Sequence, residues 1–280
     1  MIILFTKNNL ASANIAKKLI ENHGFDKKTP PPSAETTLGQ AVMETWEREG
    51  VLLIDTAAPT VLDVPTDFDT DCLIVLSTHK SKTPGKMLTA HVPGNWDNAE
   101  MGGEPKTLNI AHGLMLKKLI RALDKANREN KLDWPVSLES DHHGPTCEVP
   151  ILFVEIGNGE EQWGDDLAAE VVADAVAEAV FGGTGEQETD DLEPETVFGV
   201  GGGHYQRAFT KLLIETDIAV GHMAPKYAID SMDEEMFTQA VLKNVGEVRR
   251  VLILKDETNG AQKEKIRTFA KGMGLEIELV

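Results

Sequence analysis

Short apolar runs alternate with amphipathic stretches along most of the chain. Strand-like runs occupy 2–6, 51–55, 72–77, 136–140, 151–156, 196–200, 217–221, 249–254 and 275–279. Between them, apolar residues recur at three- and four-residue spacing over 10–22, 38–48, 108–130, 163–181, 207–215, 232–245 and 260–272, which predicts helices. This alternation predicts an α/β fold. Turn chemistry interrupts it at Thr29-Pro30-Pro31-Pro32-Ser33, across 93–106, and across the Gly- and acid-rich 182–195, a candidate mobile insertion. No boundary divides the pattern, so residues 1–280 are expected to form one α/β domain carrying that insertion.

The longest apolar runs, such as Val51–Ile54 and Ile151–Val154, fall far short of the ~20 residues of a membrane span. No basic leader precedes the first run, so a soluble, cytoplasmic protein is expected. Cys72 and Cys147 are too few for a disulfide framework or a paired-cysteine zinc knuckle, and both read as structural thiols.

Charge changes the picture. The net charge is −19, and residues 132–206 hold 18 acidic side chains with no Lys or Arg. Asp166, Glu170, Asp174 and Glu178 stand at i, i+4 spacing, where like charges destabilise a helix unless salt screens them. A salt-rich cytoplasm, as in a salt-adapted archaeon, accounts for this; an acidic docking face is the alternative. Of the 27 basic residues 20 are Lys, which points to moderate adaptation. Residues 79–131 are the exception, with 10 basic and 5 acidic residues. In the helix there, Leu108, Ala111, Met115, Leu119, Ala122 and Ala126 share one face. Lys117, Arg121, Lys125 and Arg128 fall within roughly an 80° arc opposite. The arc is either a solvated face or a contact for a phosphate backbone, with Lys117, Arg121 and Lys125 the candidate substrate residues.

Six of the 8 histidines stand in polar, Gly- or Pro-punctuated segments, several at strand ends. Ligands of open α/β sheets bind beyond strand carboxyl ends, so these residues can converge. Neutral imidazole is the usual zinc ligand. His79, His91, His142 and His204 are the candidate ligands of a Zn(2+) ion, although no HExxH-type spacing fixes which of the histidines bind. Glu155, a carboxylate inside an apolar strand, is a candidate general base or partner to a histidine. His143 and His222 complete the candidate catalytic set, and Asp141 is a candidate partner for His142. Gly199 and Gly201–Gly203 follow a strand and precede a helix, without Walker or GxGxxG form. Gly202 and Gly203 either cradle an anion or make a tight turn. No GxSxG elbow is present.

These segments together resemble the archaeal and plant type of D-aminoacyl-tRNA deacylase. The matching motifs are Ser77-Thr78-His79-Lys80-Ser81, His91-Val92-Pro93-Gly94-Asn95, His142-His143-Gly144-Pro145-Thr146, Glu155-Ile156-Gly157 with Glu160-Glu161-Gln162-Trp163, Gly202-Gly203-His204-Tyr205 and Gly221-His222. Asn158-Gly159 and Gln206-Arg207 depart from the family pattern in two loops. The resemblance implies a three-layer α/β/α fold with a mixed central sheet, of the phosphorylase/peptidyl-tRNA hydrolase kind. It also implies zinc-dependent hydrolysis of the ester of D-aminoacyl-tRNA, freeing the D-amino acid and the tRNA. Asn95 and Tyr205 then join the candidate substrate contacts, with Trp96 as a stacking candidate. A zinc peptidase or amidase using the same histidines and a non-catalytic tRNA- or metal-binding protein are the other classes. No amphipathic seam calls for a partner subunit, so a monomer is expected.

Overall fold

The computed structural model describes residues 1–28, 44–81, 85–182 and 195–280. Its strands are β1 (Ile2–Phe5), β2 (Asp26–Lys28), β3 (Glu44–Arg48), β4 (Val51–Asp55), β5 (Leu73–Thr78), β6 (Met87–His91), β7 (Gly94–Asn95), β8 (Thr107–Leu108), β9 (Val136–Leu138), β10 (Ile151–Gly157), β11 (Thr196–Val200), β12 (Ala219–Ala224), β13 (Val248–Ile253) and β14 (Glu276–Leu279). The helices are α1 (Leu10–Asn22), α2 (Gly113–Glu129), α3 (Glu160–Trp163), α4 (Asp166–Phe181), α5 (Arg207–Glu215), α6 (Lys226–Ile229), α7 (Glu234–Leu242) and α8 (Gly260–Gly272). No helix among the described residues is long and apolar enough to cross a membrane.

The expected mixed α/β architecture is present, flanked by helices, and it is built on two principal sheets. The larger has the order β2-β3-β4-β1-β5-β10-β6-β9, parallel through β4, β1, β5 and β10, and antiparallel at β10–β6. The smaller, β12-β11-β13-β14, is wholly parallel. The two-residue period of a strand sorts side chains between faces. Ile3 and Phe5, Ile74 and Leu76, and Leu152, Val154 and Ile156 join the core under α1, α2 and α4. Val197, Val220 and Leu252 of the smaller sheet reach the same core, which ties the two sheets together. Phe198, Val200, Val251 and Ile253 turn the other way, onto α7 and α8.

The opposite face of the larger sheet carries Ile2, Leu4, Leu73, Val75, Ile151 and Phe153, packed with Ala58, Val61, Val64 and Cys147. Those partners come from loops and a single 3-10 turn at Val61–Asp63, so this face stays free of helices among the described residues.

One expected element is corrected. Residues 44–48 of the predicted helix 38–48 form β3; the remainder lies outside the described residues, as do Thr29-Pro30-Pro31-Pro32-Ser33 and 183–194. Glu49 and Gly50, at φ 50 and 81, close a two-residue hairpin with Arg48 opposite Val51, and that turn geometry selects the strand. The acidic row on α4 is not left to solvent alone. Lys18 reaches Asp166 and Glu170, His23 and Asn130 reach Asp174, and Lys125 reaches Glu178.

The basic arc on α2 is also corrected: it is not one exposed face. Lys117 is 3% exposed, and its Nζ donates to Thr216 O at 2.7 Å. Arg121 donates to Leu213 O and Thr216 O, so both cations cap the carboxyl end of α5, where carbonyl partial charge accumulates. Burial, and then the charge of Arg121, push the Lys117 ammonium from the usual 10.5 down to about 8. Below pH 8 the folded state carries the full cost of that buried charge; the cost is relieved as pH rises from 8 to 10.5, where only the unfolded chain remains protonated. Relative to Lys117→Met, the wild type should therefore gain roughly 1–3 kcal/mol across that window in urea titrations at stepped pH. A constant gap would contradict a depressed ammonium.

Candidate active site

The helix-free face of the larger sheet turns polar at one end of its strands. Phase continues from Ile151 and Phe153 to Glu155 on β10, and from Leu73 and Val75 to Ser77 on β5. Strand register aligns Glu155 with Ser77 on one side and with Thr89 on the other, and Thr89 with Ser137. One step along, His91 stands opposite Phe153, and Glu139 continues β9 through its N–H to Ala90 O. His79 follows β5, its ring lying over Gly157; a Cβ there would approach His79 Cδ2 to 2.9 Å. A four-strand row of buried polar side chains thus forms the floor of a site.

Two loops supply the remainder. The turn after β9 delivers His142 and His143, the latter held at φ 50, a rare conformation for a non-glycine residue. The glycine segment after β11 adds His204 and Tyr205 by pairing with the β9 extension: Ser140 N–H donates to His204 O and Gln206 N–H to Leu138 O. Gly202, at φ 75, makes the turn tight, and Gln206 Nε2 closes it on Gly201 O and Gly203 O. The smaller sheet therefore completes a site begun on the larger one.

Five histidines and two glutamates meet here. His79 Nδ1 lies 3.0 Å from Glu139 Oε1 and 3.4 Å from Glu155 Oε2. His204 Nε2 is 2.7 Å, and His142 Nε2 3.5 Å, from Glu139 Oε2. His91 Nε2 is 3.8 Å from Glu155 Oε1, and its ring lies 4.3 Å from that of His142. Two donor sets, His91/His142/His143 and His79/Glu139/His204, each gather their ligand atoms within 4.8 Å of one another. Both nitrogens of His91 and both oxygens of Glu139 are buried without a hydrogen bond of proper geometry, despite the close approach of other rings. Orphaned buried lone pairs are rare, and convergent ones suit a shared cation.

Glu139, Glu155, His142 and His143 carry the charge states of such a donor set, whereas His79 and His91 are raised by the glutamates and would have to give up a proton to join it. Against the cost of burial, His204 and His79 hold Glu139 well below the usual carboxylate range. Likewise, against burial, His79 and His91 hold Glu155 at about 2. Burial, with His91 adjacent, pushes His143 down to about 4, and His142 is driven well below its ordinary value in the same way. His79 is raised to about 11 by Glu139 and Glu155 in spite of its burial. Ionised carboxylates and neutral imidazoles are the forms that ligate zinc. The side chains of His142 and His204 are 24% and 36% exposed, while Glu139 is fully buried, so the cluster opens on the His142–His204 side.

Of the residues singled out in the sequence, His79, His91, His142, His143, His204, Glu155 and Tyr205 come together, with Tyr205 Oη 2.7 Å from His79 Nε2. Others go elsewhere. Asn95 Nδ2 donates to Gly102 O and Glu104 O, which spends it on a loop, and Trp96 stacks under Phe198 in the core. Lys125 pairs with Glu178 on the α2–α4 flank, and Lys117 and Arg121 cap α5. Asp141 partners His222, not His142. His222 is buried, with Nε2 donating to Lys243 O at 2.9 Å and Nδ1 3.0 Å from Asp141 Oδ2, so neither nitrogen is presented to a substrate. Glu139 was not singled out at all. Its signal is the phase it shares with Ser137, which carries meaning only once β6 and its register are known.

Because His222 Nε2 already donates, the His222–Asp141 contact holds one further proton between the two side chains. Removing one partner strands the other in the interior. Asp141→Ala should cost ~3–5 kcal/mol in urea-induced unfolding. A loss below ~1 kcal/mol would mean that the pair is not a structural strut.

Comparison with known proteins accords with this geometry. Residues 66–278 match the family described as D-aminoacyl-tRNA deacylase. A D-aminoacyl-tRNA deacylase of Thermococcus kodakarensis is 32% identical over 98% of both chains, and that of Thermococcus onnurineus is 33% identical over the same shares. The Saccharolobus solfataricus protein of that name is 34% identical over 72% of this chain and 81% of its own. A crystal structure titled as a conserved protein of unknown function superposes with a TM-score of 0.83 at 25% identity, covering 99% of this chain and 93% of the other. The chain belongs to the D-aminoacyl-tRNA deacylase family.

Proposed function

We propose that this protein hydrolyses the ester joining a D-amino acid to tRNA, releasing both, and that it does so in the cytoplasm as a monomer with zinc in its histidine cluster. The observation that carries the reading is the convergence of five histidines and two ionised glutamates, with orphaned lone pairs, at one open end of a buried sheet face. The family membership supplies the substrate class. Of the finer fold, the mixed larger sheet supports the phosphorylase/peptidyl-tRNA hydrolase kind, although helices cover only one of its faces among the described residues.

His91, His142 and His143, and His79, Glu139 and His204, are the residues that would hold the metal. Zinc in such a site supplies a water acidified toward neutral pH and a Lewis acid for the ester carbonyl. The chain's own groups do the rest. Glu155 fixes His79 and His91 from beneath, and its carboxylate, held at about 2, stays ionised as their partner. Tyr205 holds the far nitrogen of His79 and so sets that ring's plane. The floor excludes bulk water, which strengthens each of these electrostatic contacts.

The test is release of D-tyrosine from D-Tyr-tRNA, with L-Tyr-tRNA in parallel, by protein as purified, after chelation and after zinc is restored. D-selective release that chelation abolishes and zinc restores is expected. Release from neither ester would overturn the deacylase reading and favour a peptide-like substrate; release that survives chelation would overturn the zinc assignment. Glu139→Gln should lose bound zinc by elemental analysis and lower kcat/KM by roughly 100-fold or more. Retained zinc and activity would remove Glu139 from the donor set.

A further inference from the structure

The smaller sheet has its own crevice, which the histidine cluster does not use. β11 to β12 crosses outward through α5, and the chain then returns past β11 to place β13 on its other side. The connections after β11 and β13 leave toward opposite edges, so the winding reverses between these two neighbours, and ligands of open α/β sheets sit beyond the strand carboxyl ends at such a reversal. A cavity of about 480 Å³ lies there, lined by Lys226 and Tyr227 after β12 and by Asp256, Glu257 and Asn259 after β13. That volume falls in the ~300–1,000 Å³ range of small-ligand sites.

Its chemistry is specific. Tyr227 is 59% exposed, whereas every other Phe, Trp and Tyr of the chain is buried or half-buried. An exposed ring at a cavity rim offers a stacking surface. The Asp256 and Glu257 carboxylates are exposed and make no ion pair among the described residues, leaving them open to donors such as an exocyclic amine or a ribose hydroxyl. Lys226, also exposed, is the one cation lining the cavity among the described residues. The rim is well anchored: Lys226 N–H donates to Gly202 O, and Gln262 Nε2 donates to Lys226 O and Asp230 Oδ1.

The cavity also adjoins the histidine cluster. Tyr227 Oη lies 3.5 Å from Ser140 Oγ, and Ser140 is bonded through its N–H to His204 O and directly follows Glu139. A group held against Tyr227 is therefore next to the segment that carries Glu139 and pairs with His204.

We propose that this crevice is the subsite for the 3′-terminal adenosine of the tRNA, with the base stacked on Tyr227, its polar edge on Asp256 and Glu257, and the 5′-phosphate at Lys226. The inference rests on the deacylase reading for the identity of its ligand, but the pocket can be tested without it. Adenosine is titrated calorimetrically into the full-length protein and assayed as an inhibitor of D-Tyr-tRNA hydrolysis. Wild type should bind it and be inhibited competitively. Tyr227→Ala should weaken binding and raise KM by ~10-fold, with kcat within about twofold, while Tyr227→Phe keeps wild-type values because the ring remains. Asp256→Asn should weaken adenosine while leaving unfolding unchanged.

No binding at millimolar adenosine, or an unaltered KM in Tyr227→Ala, overturns the subsite. Non-competitive inhibition overturns it as well, by making the crevice a separate site for free nucleotides. If wild type binds adenosine yet hydrolyses no aminoacyl-tRNA, the pocket stands as a nucleoside site and the deacylase reading is what fails.

Discussion

The structure depends on two carboxylates buried on a sheet face. Glu139 and Glu155 are 0% and 3% exposed, and an ionised carboxylate removed from water costs several kcal/mol unless cations or hydrogen-bond donors replace the solvent. The imidazoles supply that replacement. His79 bridges both acids, His204 and His142 close on Glu139, and His91 approaches Glu155. Each of these rings comes from a different strand end or loop, so the burial of two charges dictates how distant segments must meet. Where hydrogen-bond geometry is still incomplete, at His91 and Glu139, the residual lone pairs point to a cation as the balancing element.

This requirement couples the two sheets. The larger sheet provides the floor, but His204 and Tyr205 belong to the loop after β11, which must pair with the β9 extension to reach Glu139. The shared core of Val197, Val220 and Leu252 with Ile74 and Leu152 holds the smaller sheet in the position that pairing needs. A consequence is that the carboxyl edge of the smaller sheet, with Tyr227 at its rim, opens next to the cluster. The histidine cluster and that crevice meet at Ser140, whose Oγ lies 3.5 Å from Tyr227 Oη.

The strongly acidic surface is organised rather than uniform. The α4 acids meet Lys18 of α1 and Lys125 of α2, and Lys117 and Arg121 of α2 cap α5. Such exposed pairs contribute little individually, so they serve placement of the helices more than their stability.

Periodicity alone delimited α5, α8, β4 and β11 to the residue, because each has a clean apolar phase and capping or turn residues at its ends. It also marked the histidines and Glu155, since polar residues at the ends of buried strands are conspicuous in sequence; Tyr205 entered with the family resemblance. It did not resolve β3, whose strand state comes from the Glu49-Gly50 hairpin, or β6, where Thr89 and His91 break the apolar run. Without β6 there is no register to link His91 with Glu139, and so the most buried acid of the site stayed hidden. Lys117 shows the same limit from the other direction: its place on a helical wheel is a local property, but its burial is set by α5 lying across it. The sequence determined which residue types were available for chemistry and on which elements they stood. Tertiary structure decided which of them share a charge, because the electrostatic cost of burial is settled only between segments that the fold brings together.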